Sequence, residues 1–222
     1  MKLDERLMSV ANLIRKNKIV ADIGTDHAYL PVYLIENGIS QYVIASDVRK
    51  GPLKNAEKTV IAHNLTEKIE LRLSDGLNSF KEIEVDEIAV AGMGGLLISQ
   101  FIERTEWLKN KDIHLVLQPM THAEEVRETL YNNGFFIDKE CVSTDKNKLY
   151  ITISAYFTGE KYTYSDFDLI VGKLPQNNDE LSIKYLNHLY EKYNKKFIAL
   201  EKAQKPCENI KDILEKLKLW QQ

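Results

Sequence analysis

The stretch VADIGTDHAYLP, residues 20–31, decides how the chain is read. An apolar strand, Ile19 to Ala21, runs into Asp22-Ile-Gly24, and an apolar helical pattern takes over at Leu30. That is the strand–loop–helix layout of a nucleotide-binding turn. Asp26 and Ala28, however, stand where a dinucleotide-binding loop carries its second and third glycines. The loop therefore calls for a nucleotide that accepts an aspartate at that point.

Outward from this loop, short apolar strands alternate with helices. Leu3, Leu7, Val10, Leu13 and Ile14 give a helix over 3–16, followed by a strand at 19–23. A helix through Leu30, Val32, Leu34 and Ile35 is closed by Gly38. Strands follow at 42–46, 69–73, 87–91 and 114–118, the last stopped by Pro119, with helices at 52–64, after Gly95 and at 123–133. Two closing strands, a Phe135–Ile137 kernel open to extension and 149–155, lie too close in sequence for a helical crossover and form an antiparallel edge hairpin. The pattern predicts an α/β fold, a Rossmann-like parallel sheet with helices on both faces.

After residue 160 the character changes. Residues 160–178 read as a connector, and Leu181, Tyr185, Leu189, Tyr193, Phe197 and Leu200 form one amphipathic stripe. Beyond Pro206, Ile210, Ile213, Leu214, Leu217 and Trp220 form a second, so the two helices are expected to fold back as a coiled-coil-like pair. The predicted domains are 1–160, carrying the nucleotide site, and 161–222, helical.

Bulk properties narrow the function. The 222 residues carry a formal net charge of −3, so a nucleic-acid partner needs a local basic face. Cys141 and Cys207 are far apart with no CxxC, which fits a reducing compartment and excludes a cysteine-rich zinc site. His63, His114 and His188 are too scattered for a metal centre. The N-terminus is an amphipathic helix pattern and no apolar run nears the ~20 residues needed to cross a bilayer. The expectation is a cytoplasmic, metal-free monomer.

In an open parallel sheet ligands sit beyond the carboxyl ends of the strands. Here those ends read Asp22-Ile-Gly24-Thr-Asp26, Asp47, Asp75-Gly76, Gly92-Met-Gly-Gly95 and Gln118-Pro119. Acids on three successive strand tips suit S-adenosylmethionine, which has no phosphate and carries an ammonium and a sulfonium. Asp47 is placed to accept from the ribose hydroxyls and Asp75 from the adenine amino group, while Gly24 lets the backbone approach closely. Asp47 is equally open to reading as a helix cap. NAD, the rival cofactor, also wants an acid after the second strand but wants glycine at 26.

GTDHAYLPVYL, ASDVRKGPLKNA, LSDG, VAGMGG and LVLQPM, in this order and spacing, resemble the bacterial tRNA (adenine-22-N1)-methyltransferase family, a class I S-adenosylmethionine-dependent group with a C-terminal coiled-coil extension. The likeness covers about residues 1–160 at motif level and the tail as architecture. It implies methylation of N1 of a tRNA adenine. It also implies cofactor contacts at Asp22, Gly24, Asp26 and His27, at Asp47 and Val48, at Asp75 and Gly76, and at Gly92, Met93 and Gly94. The helical extension would then bind tRNA.

Adenine N1 has its own lone pair, so the catalytic task is to position it and to stabilise the cationic product. Asp26, His27 and Tyr29 are the catalytic candidates, Asp26 facing the target base and the two rings lining its pocket. Against this, Asp26 can serve as a ligand for the cofactor ammonium, His27 as a helix-entry hydrogen bonder and Tyr29 as core. Gln118 is open to two roles, reading an adenine edge or bonding within the fold. His122 reads as a cap or surface residue. Arg49 and Lys50 are the leading phosphate contacts; Arg15, Lys16, Lys18, Lys54, Lys195 and Lys196 are further basic positions. Rival functions are a methyltransferase for another RNA or a small molecule, and a non-catalytic, cofactor-sensing RNA-binding module.

Overall fold

The computed structural model describes residues 1–220, with Ile83 described by its backbone alone. The chain packs as two compact units, Met1–Thr163 and a second one beginning at Tyr164. In the first, seven strands form one sheet: β1 (Lys18–Ile23), β2 (Ser40–Asp47), β3 (Ile69–Leu73), β4 (Glu87–Gly94), β5 (His114–Thr121), β6 (Phe135–Asp145) and β7 (Lys148–Phe157). Their order is β3-β2-β1-β4-β5-β7-β6, with β3 to β5 parallel and β7 and β6 antiparallel. The chain leaves β1 towards β2 on one side and reaches β4 on the other, so a crevice opens at the carboxyl ends of β1 and β4, the topological switch point of the sheet.

Helices α1 (Glu5–Leu13), α2 (Tyr29–Glu36), α3 (Lys50–Ala62), α4 (Gly95–Arg104) and α5 (Ala123–Asn132) cover the sheet. The central strands are apolar on both faces, with Val20, Ala21, Ile23, Ile88, Ala89 and Val90 all buried. At α1, Asp4 caps the helix by accepting the Leu7 N–H at 2.7 Å. The helix stops sooner than its apolar pattern, before a left-handed Asn17 (φ 61°) that turns the chain into β1. Gly38 (φ 63°) ends α2 as expected, with the Ile39 N–H returning to Leu34 O at 2.9 Å.

Two strands differ from the sequence reading. Pro119 does not stop β5, which runs on to Thr121; the residue opposite is Met93, where the β4–β5 register shifts on both sides. A bulge is where a strand tolerates a residue without an N–H. The edge strand β6 is far longer than the Phe135–Ile137 kernel. A register shift between Ile137 and Lys139 breaks its alternation, and the polar residues that follow sit on an edge. The hairpin closes through Lys146 and Asn147, both at positive φ, the conformation of a two-residue type I′ turn.

In the second unit α6 (Asp166–Val171) occupies the expected connector, capped by Ser165, whose hydroxyl accepts the Asp168 N–H. Then come α7 (Glu180–Lys202) and α8 (Glu208–Lys218), packed against each other. The buried residues of α8 are Ile210, Ile213, Leu214 and Leu217, as its spacing requires. On α7 the buried residues are Ser182, Leu186 and Leu189, so the inner face is rotated from the expected stripe; Tyr185, Tyr193 and Phe197 are only half-buried. Ser182 tolerates burial because its hydroxyl donates to Asp179 and accepts from Asn177. No described helix is long and apolar enough to cross a membrane.

Candidate active site

The carboxyl ends of β1, β2 and β4, with the start of α1, enclose a cavity of about 410 Å³. Its floor is the loop that opened the sequence reading. The N–H groups of Gly24 and Thr25 both donate to Ser46 O at 2.8 Å, drawing the loop over the end of β2. Gly24 has φ 84°, and a Cβ there would fall 2.2 Å from the Met93 methyl. Backbone and packing together keep side chains off this floor. Where a dinucleotide fold has its third glycine, Ala28 takes the left-handed conformation itself (φ 54°), and α2 starts from it without a side-chain cap. Such a conformation costs an alanine roughly 1–3 kcal/mol and is characteristic of functional loops.

Four carboxylates line the cavity, Asp4 at the start of α1 and three at the strand ends, and those three sit in different environments. Asp22 lies between Ala45 and Ala89 in the sheet and is 6% exposed. Burial pushes its pKa up to about 6, partly opposed by a hydrogen bond from the Thr25 side chain. Asp47 is nearly as buried; its Oδ1 accepts the Arg49 N–H at 2.7 Å. The N-cap of α3 is Arg49, so Asp47 is not the helix cap, and no hydrogen bond from the described residues reaches its Oδ2. Asp26 is open to solvent, its side chain 67% exposed, with His27 Nε2 at 3.4 Å. The His27 ring stacks on Tyr29 (centroids 5.1 Å apart, planes 13° from parallel). Tyr29 is 44% exposed and therefore not core.

The predicted residues divide. Asp22, Gly24, Asp26, His27, Tyr29, Asp47 and Gly92 line the cavity together. Val48, Asp75, Gly76, Met93 and Gly94 stand outside its wall: Val48 and Asp75 are exposed at the tips of β2 and β3, and Gly76 packs beneath the Phe101 ring. Gln118 is fully buried and internally bonded. Its Oε1 accepts from Arg6 Nη1 (2.8 Å) and the Gly92 N–H (3.1 Å), and its Nε2 donates to Pro119 O (2.9 Å). It is thus a structural glutamine with no edge left for an adenine. His122 is exposed at the entry to α5. Sequence reasoning passed over Thr25 and the contribution of α1, namely Asp4, Arg6 and Leu7. A charged residue between apolar helix positions carries no signal of its own; only packing brings Arg6 to the cavity.

The donor set fits S-adenosylmethionine. Two buried acids, one with an unpartnered oxygen, stand over a glycine floor that offers no helix-and-glycine cradle for phosphate. Fold and site together define a class I methyltransferase. The family model described as "Methyltransferase domain" matches residues 3–153. The tRNA (adenine(22)-N(1))-methyltransferase of Bacillus subtilis is 35% identical over 174 residues, 78% of this chain and 73% of the relative. A Streptococcus pneumoniae protein solved in complex with S-adenosyl-L-methionine superposes with a TM-score of 0.85 at 31% identity, all of both chains covered. The Mycoplasma capricolum TrmK structure with S-adenosylhomocysteine gives 0.78 at 27% identity, covering 99% of this chain and 96% of that one. The chain belongs to the tRNA (adenine-22-N1)-methyltransferase family.

Proposed function

We propose that the protein methylates N1 of adenine 22 in tRNA, and that the acid-lined cavity over β1, β2 and β4 is where it does so. When bound, S-adenosylmethionine supplies a methyl group activated by its sulfonium. Asp47, through its unpartnered oxygen, accepts from the ribose hydroxyls, and Asp22 faces the methionine ammonium. Val48, Asp75 and Gly76, on the β2 and β3 side, border the adenine; Gly92, Met93 and Gly94 flank the methionine side.

The observation that carries this reading is the exposed His27–Tyr29 stack beside Asp26 at the rim of that cavity. A flipped-out base has two faces to cover and an edge to orient. The ring pair offers a stacking surface, and Asp26 offers a carboxylate for the positive charge that develops on the base as N1 is methylated. N1 brings its own lone pair, so no general base is required and positioning dominates, worth roughly 7–11 kcal/mol of a barrier.

The domain from about residue 161 onward serves tRNA binding on this reading. Lys192 and Lys196 flank the Tyr193 ring at 5.8 and 5.9 Å, a basic, aromatic face of α7 suited to RNA backbone and bases. Arg49 and Lys50, exposed at the site mouth, take phosphates. The enzyme is expected to work in the cytoplasm as a metal-free monomer. Incubating unmodified tRNA with the protein and methyl-labelled S-adenosylmethionine, then mapping nucleosides, tests the proposal: the label should appear as 1-methyladenosine at position 22. Label at another base, or in rRNA alone, defeats it.

A further inference from the structure

Helix α1 borders two cavities. Arg6 and Leu7 belong to the one described above. Glu5, Ser9 and Asn12 belong to a separate groove of about 280 Å³, whose other wall is the edge strand β6 with Lys139, Cys141 and Ser143. Past the register shift β6 alternates regularly, so these three share one face. Cys141 pairs across the sheet with Thr152, whose hydroxyl lies 2.6 Å from that of Ser9, so this is the face that α1 covers. Cys141 is half-buried and carries no disulfide. Ser143 is 4% exposed, and its hydroxyl has no hydrogen-bond partner among the described residues. A buried hydroxyl left so weakens the fold unless something else supplies the partner. Glu5 and Lys139, both exposed, supply one charge of each sign beside the thiol.

A thiol flanked by a cation, an anion and an unsatisfied hydroxyl suits a small zwitterion that carries sulfur. We propose that Cys141 is a modification site that forms a mixed disulfide with an amino-acid-type thiol delivered as its disulfide. Lys139 receives the carboxylate, Glu5 the ammonium, and Ser143 a further polar atom. The Cys141 thiolate attacks one sulfur of the reagent; a new S–S bond forms as the old one breaks, and the departing thiolate takes up a proton. The reagent is itself the oxidant, and excess thiol runs the exchange backwards. The adduct sits beside Ser9 and bears on α1, which carries Arg6 and Leu7 into the other cavity. It therefore weakens cofactor binding, a coupling that rests on the S-adenosylmethionine reading above.

The test incubates the full-length protein with cystine, or with cystamine, which lacks the carboxylates, and follows each cysteine by peptide mass spectrometry. Cys141 should react with cystine about tenfold faster than Cys207, the similarly half-buried thiol at the start of α8. It should also prefer cystine to cystamine by about fivefold, the scale of one exposed ion pair, and Lys139→Met should remove that preference. Equal reaction at both cysteines, or an unchanged preference in Lys139→Met, overturns the site. Calorimetry on the cystine-treated protein should show S-adenosylmethionine affinity lowered about fivefold, restored by dithiothreitol and unmoved by cystine in Cys141→Ser. An adduct at Cys141 that leaves this affinity unchanged overturns the coupling through α1. Untreated protein that fails to bind S-adenosylmethionine overturns the methyltransferase reading instead, and the cysteine rates are read independently of it.

Discussion

The two ends of the same parallel sheet treat their carboxylates in opposite ways. At the amino end of β4, Glu87 is fully buried and saturated: Arg15 Nε and the Arg15 N–H contact it, and His114 Nδ1 lies at 2.7 Å. The network continues from His114 Nε2 to the Ser154 hydroxyl (2.8 Å), which donates to Asp138. At the carboxyl ends of the neighbouring strands β1 and β2, Asp22 and Asp47 are almost as buried, yet face a cavity and keep acceptor capacity to spare. A buried acid whose oxygens are taken up by partners from the chain itself belongs to the fold. A buried acid turned towards a cavity weakens the fold and is there for something that binds.

That contrast can be broken by mutation, and the largest effect should come from the closed end. Glu87→Ala strands Arg15 and His114 beside an unfilled hole and should cost about 3–5 kcal/mol of stability. Denaturant titration checks this, and affinity for S-adenosylmethionine in the folded fraction should stay within a few fold. Next comes Asp26→Asn at the open end, which should lower turnover on tRNA by about 10²–10³-fold. Cofactor affinity should stay within a few fold; a collapse in binding instead would make Asp26 a cofactor ligand and leave its catalytic role unsupported.

Asp22→Asn should stabilise the ligand-free protein. Below the ordinary carboxylate pKa of 3.8 the group is neutral whether folded or not. Between 3.8 and about 6 the unfolded chain ionises while the folded one resists, so this group's contribution to stability falls as pH rises, then levels off. Above pH 6 the mutant should therefore gain up to roughly 3 kcal/mol, a gain that vanishes near pH 4. Thermal melts across pH 4–8 measure it, and the mutant's cofactor affinity should drop. The smallest effect is expected in the second unit. Reversing Lys192, Lys195 and Lys196 to Glu should raise the KM for tRNA about tenfold at low salt, with less effect at high salt, and leave cofactor binding untouched.

The outline of the open end was legible in the sequence because β1, β2 and β4 are each a continuous apolar run broken at the tip by an acid or a glycine. Val20-Ala21 into Asp22, Ile44-Ala45 into Asp47, and Val90-Ala91 into Gly92 each mark a strand tip without knowledge of what packs around it. What stayed hidden depends on tertiary partners. Pro119 reads as a strand terminator until Met93 is seen opposite it at a bulge. Gln118 cannot be told from a base-reading amide until Arg6 and Gly92 occupy it. The inner face of α7 includes Ser182, polar by type and buried only because Asp179 and Asn177 satisfy it. Nor does a helix reveal by its own spacing that Arg6, on its first turn, belongs to a site built by β1, β2 and β4.

Proton counting probes the open, acid-lined end most directly. S-adenosylmethionine is titrated into the protein at pH 6 in buffers of different ionisation enthalpy. Placing a cation beside Asp22 should drive off the proton that burial retains, so wild-type protein should release about half a proton per ligand bound. The release should fade by pH 8 and be missing in Asp22→Asn. Tight binding with no proton exchanged at pH 6, or an identical exchange in Asp22→Asn, would contradict the idea that the buried acids at this end are kept for a positively charged ligand.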